Sequence, residues 1–449
     1  MMLRMPPTPG TAMRINYLPA SLFLAILVFA PASAFAGPSL DPTERALAAF
    51  VESNEDAALA LLERAVNINS GTLNLAGVRK VGDLFRAEFE SLDFSTRWVD
   101  GTPFHRAGHL IAAHGTRGPQ VLLIGHLDTV FEPDSPFQKF KRVDEHRANG
   151  PGASDMKGGI VIALYALRAL AARDALDKLR VTVVLTGDEE DSGEPLGLAR
   201  AALVEAANAA DIAIGLENAD DDPTTAVIAR RGSSNWTLTV NAKSGHSSQI
   251  FREDIGDGAN FEAARILDAF RTELRGEEYL TFNPALVLGG TQTEFDPAAL
   301  SGRVSSKNNV IAPQAVVTGD LRTISLEQRE RAKSRMQEIV ARHLPHSSAE
   351  INFDDGYPPL SPTDGNRRLL EMLDQSSRDL GHGPVTAVDP KRAGAADISF
   401  VAGHVDMAID GLGLLGGGNH TPEEFADLRT FRIQAQRLAV LLYRLAKQP

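Results

Sequence analysis

The chain has 449 residues, of which 43% are hydrophobic and 23% charged, with a formal net charge of −13 and no cysteine. That length supports two or three domains around a sizeable core, and the composition is that of a soluble globular protein. The negative charge argues against nucleic acid or an anionic membrane as a partner. Without cysteine there are no disulfides, and any metal must be held by His, Asp or Glu.

Arg14 precedes an apolar stretch from Leu18 to Ala30, and Ala34-Phe35-Ala36 forms a small-x-small cleavage site. Residues 1–36 read as a secretory signal peptide cleaved after Ala36, since the apolar stretch is short for a spanning helix. The expectation is a periplasmic or secreted protein with no stable membrane insertion after cleavage.

Leu40-Asp41-Pro42-Thr43-Glu44 resembles a helix start, and Asp56 to Val66 and Thr72 to Leu92 have helical period. Strands are expected at 109–114 and 120–126. The second leads through Val121-Leu122-Leu123-Ile124-Gly125 into His126-Leu127-Asp128. Four apolar residues in a row read as a buried strand of a parallel sheet. Positions i and i+2 of a strand share a face, so His126 and Asp128 aim together into the crevice at the sheet's carboxyl end, where open α/β folds bind ligands.

The run Gly150-Pro151-Gly152-Ala153-Ser154-Asp155-Met156 forbids regular structure until Lys157, after which Ile160 to Ala172 is an apolar helix. Asp155 therefore sits on a loop just before a helix N-terminus. Leu179 to Leu185 is another strand, ending in Thr186-Gly187-Asp188-Glu189-Glu190-Asp191. Consecutive carboxylates at that place repel one another unless cations sit among them. A third strand, Ile212 to Leu216, ends on Glu217. Three buried strands thus finish in an acidic or imidazole side chain at one edge, and the strand–helix alternation from 120 to 217 is that of a doubly wound sheet.

The pattern changes near 233. Asn235 to Asn241 alternates polar and apolar, a helix is expected from Gly258 to Arg275, strands at Val304–Ile311 and Ala315–Arg322, a helix from Ser325 to His343 and a strand at Ala349–Phe353. This β-α-β-β-α-β order is the ferredoxin-like plan. The expected organisation is a catalytic domain over 40–232 and 354–449, with a mostly parallel sheet flanked by helices, and an inserted α+β domain over 233–353. In the last part, Arg367 to Leu380 and Arg429 to Ala446 read as helices and Met407-Ala408-Ile409 as a short strand. The glycine-rich stretch from Gly411 to Gly418 leads to Asn419-His420-Thr421-Pro422-Glu423-Glu424.

His126, Asp155, Glu190, Glu217 and His420 together offer two imidazoles and three carboxylates, a set that suits zinc or a related divalent ion. Two such ions over-neutralise three carboxylates, which favours a bound hydroxide, and a loop carboxylate such as Asp155 can bridge the pair. Metal lowers the pKa of bound water from about 15.7 towards 7. Glu189, beside a ligand yet free itself, can take the water's proton and later give it to a leaving amine. Asp128 can hydrogen-bond His126 and fix its tautomer. These parts make an amide or peptide hydrolase.

The set His126-x-Asp128, Gly152-x-x-Asp155-x-Lys157-Gly158-Gly159, Glu189-Glu190, Glu217, Ser244-Gly245-His246-Ser247 and His420 resembles the zinc-dependent exopeptidases and deacylases. That family includes bacterial glutamate carboxypeptidases, aminoacylases, acetylornithine deacetylase and succinyl-diaminopimelate desuccinylase. The resemblance covers roughly residues 45–447. It implies two zinc ions, one held by His126, Asp155 and Glu217, the other by Asp155, Glu190 and His420. It implies Glu189 as general base, Asp128 as supporting acid and a cis peptide between Asp155 and Met156. The inserted domain is then a lid through which a homodimer forms. His246 corresponds to the histidine that polarises the substrate carbonyl, often from the partner subunit, Asn309 to an asparagine near that carbonyl, and Arg322 to the arginine that grips a substrate carboxylate. One departure stands out. Glutamate carboxypeptidases usually carry Gly-Gly-Thr/Ser-Asp after the inserted domain, and this chain reads Ala393-Gly394-Ala395-Ala396-Asp397.

The reading that follows is a metallo-exopeptidase acting on the C-terminal amide of small peptides or N-acyl amino acids, with glutamate carboxypeptidases as the nearest subgroup. An N-acyl amino acid deacylase is the alternative within the class. A non-catalytic periplasmic binding protein on the same scaffold would keep the ligands but need no Glu189.

Overall fold

The structure, a computed structural model, describes residues 40–448; the signal peptide expected at 1–36 lies outside the described residues. In chain order come helices α1 (Pro42–Ser53), α2 (Glu55–Val66) and α3 (Leu75–Glu90), then strands β1 (Ser95–Asp100), β2 (Gly108–His114) and β3 (Gln120–His126). Helix α4 (Gly158–Ala171), β4 (Arg180–Thr186), α5 (Ala201–Asn208) and β5 (Ile212–Gly215) follow. The next stretch holds β6 (Gly232–Ala242), α6 (Ala259–Leu274), β7 (Thr281–Gly290), β8 (Gln292–Asp296), β9 (Ser301–Ser305), β10 (Gln314–Thr323), α7 (Leu326–Val340) and β11 (Ser347–Asp355). Helix α8 (Asp364–Asp379), β12 (Met407–Ile409) and α9 (Arg429–Leu445) close the chain.

Helix α1 opens at a reciprocal cap: Asp41 Oδ1 accepts the Glu44 N–H and Glu44 Oε2 accepts the Asp41 N–H, both at 2.8 Å, so two otherwise orphaned donors are satisfied. The larger sheet has the order β1-β2-β4-β3-β5-β12. Strands β4, β3, β5 and β12 run parallel, and β1 and β2 are antiparallel additions at one edge. Alternate residues of β3 feed two cores. Val121 and Leu123 face the core shared with α1 to α4 and α9, while Leu122 and Ile124 pack on the other side with Leu203, Ile398 and Val401. A parallel strand covered on both faces must be apolar throughout, which is why 121–124 carries no polar residue. Helix α4 lies under the sheet and is buried on nearly every side, as its apolar circumference requires.

The second sheet has the order β7-β10-β6-β11, antiparallel throughout. Helices α6 and α7 pack on it over a separate core of Trp236, Leu238, Ile266, Phe270, Val317 and Met336. The order is ferredoxin-like, as expected, but one strand differs. No strand runs over 304–311. Ser301–Ser305 (β9) pairs with Gln292–Asp296 (β8) as a separate hairpin, and the missing sheet strand is Thr281–Gly290 (β7). Pro284 hides that strand in the sequence. It is tolerated because β7 is an edge strand whose register shifts between Pro284 and Leu286, the two settings in which a sheet accepts proline. No helix among the described residues is long and apolar enough to cross a membrane.

Candidate metal centre

Because β3 pairs in parallel with both β4 and β5, the carboxyl ends of the three strands deliver His126, the turn at 188–190 and Glu217 to one place. His126 Nε2 lies 3.3 Å from Asp155 Oδ1 and 3.4 Å from Glu217 Oε1. The second Asp155 oxygen, Oδ2, is 3.3 Å from His420 Nε2, which is itself 3.1 Å from Glu190 Oε2. Asp155 therefore stands between two imidazoles and offers one oxygen to each. Single donor atoms of His126, Asp155 and Glu190 all lie within 4.8 Å of one another. The Asp155–Met156 peptide is cis, and His420 holds a left-handed φ of 62°, a conformation that non-glycine residues keep mainly where the surroundings enforce it.

The charges fit a cation site. Burial opposes a charge on His126, yet Glu217, Asp128 and Asp155 outweigh it and hold its proton well above the ordinary range. Hydrogen bonds to Asp155 and Glu190 raise His420 to about 10. Burial pushes Glu217 up to about 7, against the pull of His126. Burial also pushes Glu189 well up; His126 opposes, and Glu217, Asp397 and Glu190 add to the rise. Protons here stand in for positive charge that the donor set could take from metal. Imidazole nitrogen and carboxylate oxygen without thiolate suit divalent ions of intermediate softness, and the shared Asp155 divides five side chains into two groups of three.

The holders of these side chains are as specific as the side chains. Asp128 is fully buried. His126 Nδ1 is 3.1 Å from its carbonyl and 3.4 Å from its Oδ1. The carboxylate also accepts the Glu189 and Glu190 N–H groups, each at 3.1 Å, and the Thr72 hydroxyl at 2.7 Å. Asp128 thus sets the ring of His126 and the backbone of the acidic turn at once. Two further carboxylates were not singled out from the sequence. Asp410 accepts the Glu217 N–H at 3.2 Å and pairs with buried Arg230 at 2.7 Å. A Cβ at Gly215 would meet Asp410 Oδ1 at 2.1 Å, so β5 must end in glycine. Glu424 accepts backbone N–H groups of the Asp155 loop. Burial drives Glu424 up to about 7 and drives the nearby Lys157 down to about 7. For Asp410 a signal is present: an aspartate follows β12 directly, just as Glu217 follows β5 by two residues. Glu424 has no such local mark.

A cavity of about 330 Å³ opens beside Asp155, Glu189, Glu217 and His420, with Asn218, Arg230, Arg392, Ala395 and Ala396 on its walls. Within the described residues no protein group hydrogen-bonds the Glu189 carboxylate, while its carbonyl accepts the Tyr357 hydroxyl at 3.1 Å.

Residues 122–444 match peptidase family M20/M25/M40. The chain belongs to this family. It is accordingly an enzyme, a hydrolase of the M20 peptidases. Carboxypeptidase G2 of Pseudomonas sp. (strain RS-16) is 25% identical over 377 residues, covering 83% of this chain and 86% of that one. Succinyl-diaminopimelate desuccinylase of Acidiphilium cryptum (strain JF-5) is 26% identical over 361 residues, covering 77% and 88%. Among solved structures, a dinuclear metal binding M20 peptidase from Bacillus subtilis superposes with a TM-score of 0.60 at 16% identity, covering 89% of this chain and 99% of that one.

The remaining residues expected at the site of this M20 enzyme lie elsewhere. His246 and Asn309 are exposed neighbours: the Ser247 N–H donates to the Asn309 carbonyl at 2.9 Å, and His246 bridges to Val310. The His246 ring contacts Ser248 Oγ at 2.8 Å. Arg322, on β10, donates from Nε to Asp320 at 3.0 Å. None of the three lines the cavity.

Proposed function

We propose that the protein removes the C-terminal residue of small peptides or N-acyl amino acids, in the manner of a glutamate carboxypeptidase, with two zinc ions as cofactor. The observation that carries this reading is Asp155 set between His126 and His420, with the Glu189 carboxylate beside it and free to move a proton. His126, Asp155 and Glu217 would hold one ion, and Asp155, Glu190 and His420 the other. When bound, such ions polarise a carbonyl and acidify water.

The protein's own groups do the rest. Glu189 accepts the proton of the attacking water and passes it to the departing amine nitrogen, which leaves as a neutral amine. Its raised pKa, caused first by burial, suits a group that must carry a proton for part of the cycle. Asp128 keeps His126 oriented and pins the backbone of Glu189. His246 and Asn309 act on the substrate carbonyl, and Arg322 takes the terminal carboxylate through a two-pronged guanidinium contact. None of these three borders the cavity in one subunit, so their part requires movement of the 233–353 lid domain, or its counterpart from a second copy in a homodimer. Export through the signal peptide to the periplasm or medium belongs to the same reading.

Alanine at 395 and 396 leaves the cavity wall without the hydroxyl usual in glutamate carboxypeptidases, so the reading covers C-terminal amides and does not extend to glutamate selectivity. The similarity to a desuccinylase supports a second reading, hydrolysis of an N-acyl amino acid. Metal analysis of the purified protein, combined with assays on C-terminally varied N-acyl dipeptides, a folate-like glutamyl amide and N-acetyl amino acids, separates them. Turnover of the dipeptides with about two zinc ions per chain is expected. Zinc-free protein, or no turnover of any amide in the panel, would reject the proposal.

A further inference from the structure

Glu424 lies on the same loop as His420, and its carboxylate is turned away from the cavity towards the backbone of the Asp155 loop. Oε2 accepts the Gly152 N–H at 3.0 Å, and Oε1 accepts the N–H groups of Ser154 at 3.1 Å and Asp155 at 3.3 Å. The Ser154 hydroxyl lies 3.3 Å from Oε1 and 3.2 Å from Asn419 Oδ1. Both Glu424 and Ser154 are buried, at 1% and 0% exposed. Immediately after Glu424, the short strand Phe425–Asp427 pairs with Arg147–Asn149, the strand that leads into the Asp155 loop.

We infer that Glu424 is a positioning residue for the metal centre, fixing Asp155 relative to His420 so that its two oxygens reach both ion positions. The inference rests on reading the five side chains as a dinuclear site. The strand pairing already joins the two segments. What Glu424 adds is orientation, because the N–H groups of Gly152, Ser154 and Asp155 turn inward to one carboxylate, which leaves the Asp155 side chain facing outward between the histidines. Groups that orient metal ligands in this way typically contribute about 10–100-fold to metal affinity. Both Glu424 oxygens face backbone donors, and neither is among the donor atoms grouped around Asp155.

The test is a chelator-competition titration with Zn²⁺ on the whole mature chain, run beside thermal unfolding of the metal-free form. Glu424→Gln keeps the shape but turns an amide N–H₂ against backbone N–H groups. A fall of about 10–100-fold in zinc affinity at one or both positions is expected, larger than any change the metal-free melting temperature explains. Glu424→Asp, one methylene shorter with the charge kept, should give a smaller fall in the same direction, and it decides the matter if the glutamine variant does not fold. Wild-type affinity in the variant that is read, whether or not the metal-free melting temperature drops, overturns the inference and leaves a stabilising role only. Wild-type protein that fails to bind zinc instead overturns the dinuclear reading on which it rests.

Discussion

Arg200, just before α5, and Arg322, on β10, are held in opposite ways. Arg200 is 1% exposed. It donates to Asp188 Oδ1 and Asp397 Oδ1, each at 2.7 Å, to the Tyr357 hydroxyl at 2.9 Å and to Ser192 Oγ at 3.0 Å. Arg322 has a half-open side chain and, among the described residues, pairs only with Asp320, two residues away on its own strand. The same contrast runs through the rest of the molecule. At the carboxyl edge of the larger sheet four of the five proposed ligands have a buried holder, Asp128 for His126 and Glu190, Asp410 for Glu217 and Glu424 for Asp155, while His420 is exposed and, among the described residues, meets only Asp155 and Glu190. On the loops after β6 and before β10, His246 and Asn309 are exposed: the His246 ring meets Ser248 Oγ, and the Asn309 carbonyl accepts the Ser247 N–H. One region is organised before substrate arrives. The other is left open, as a surface must be if it completes its site by moving or by meeting a second copy.

The strongest way to break that contrast is at the organised edge. Glu189→Gln should lower kcat by about 10²–10⁴, the usual contribution of a proton-transferring side chain, with zinc content unchanged. Near-normal turnover in that variant would falsify the base assignment. Next in size is Arg200→Ala. It strands two buried carboxylates, and breaking a buried pair in this way typically costs about 3–5 kcal/mol; urea unfolding measures it. Arg322→Ala should cost under about 1 kcal/mol by the same measurement, because exposed pairs contribute little, and should raise KM for substrates with a free terminal carboxylate. Equal destabilisation by the two arginine variants would erase the distinction between the regions. His246→Ala should lower kcat by about 10²-fold, the lower range for losing a donor to a developing oxyanion, without changing stability or zinc affinity. If His246 acts across a dimer, mixing it with Glu189→Gln should restore activity in the hybrid.

The organised edge was also the more legible in sequence, and the reason is physical. A strand buried on both faces is a run such as Val121-Leu122-Leu123-Ile124, and the first polar group after it must lie where the sheet ends, so His126, Glu189, Glu190 and Glu217 could be placed at one edge before any coordinates. What could not be read were groups whose partners are backbone atoms. Glu424 accepts three N–H groups from residues some 270 positions away, a relation that leaves no local pattern. Strand β7 is hidden in the sequence because Pro284 argues against a strand interior, and its edge position and register shift are what make proline acceptable. Val304, Val310 and Ile311 are β-branched and suggest one strand over 304–311; Val304 lies in a hairpin and Val310 in a bridge to His246. His246, Asn309 and Arg322 were reached through the family resemblance rather than through their own surroundings. Exposed polar residues in turns look alike whether or not they act.

The smallest expected effect lies just behind the acidic turn. His109 is fully buried, stacked on Phe104 with ring centroids 5.0 Å apart. Its Nδ1 accepts the Gly187 N–H at 3.2 Å, and its Nε2 lies 2.7 Å from the Ala199 carbonyl and donates to it. Both nitrogens are therefore used by the neutral ring, and a second proton would face the Gly187 N–H. Burial lowers the pKa of His109 below 6.5, and the carboxylate of Asp188 only partly offsets this. The unfolded chain then binds a proton at a pH where the folded chain does not, so stability rises with pH across that interval. This contribution is complete above about 6.5, falls as the pH drops through that value, and levels off once the folded state also protonates. A single such group adds at most about 1.4 kcal/mol per pH unit. Urea unfolding at pH 8.0 and 5.5 should therefore differ less for His109→Gln than for the wild type, since glutamine can donate to Ala199 without titrating. An unchanged difference would mean that the proton is taken up elsewhere, and that the turn carrying Glu189 and Glu190 is not anchored through a neutral His109.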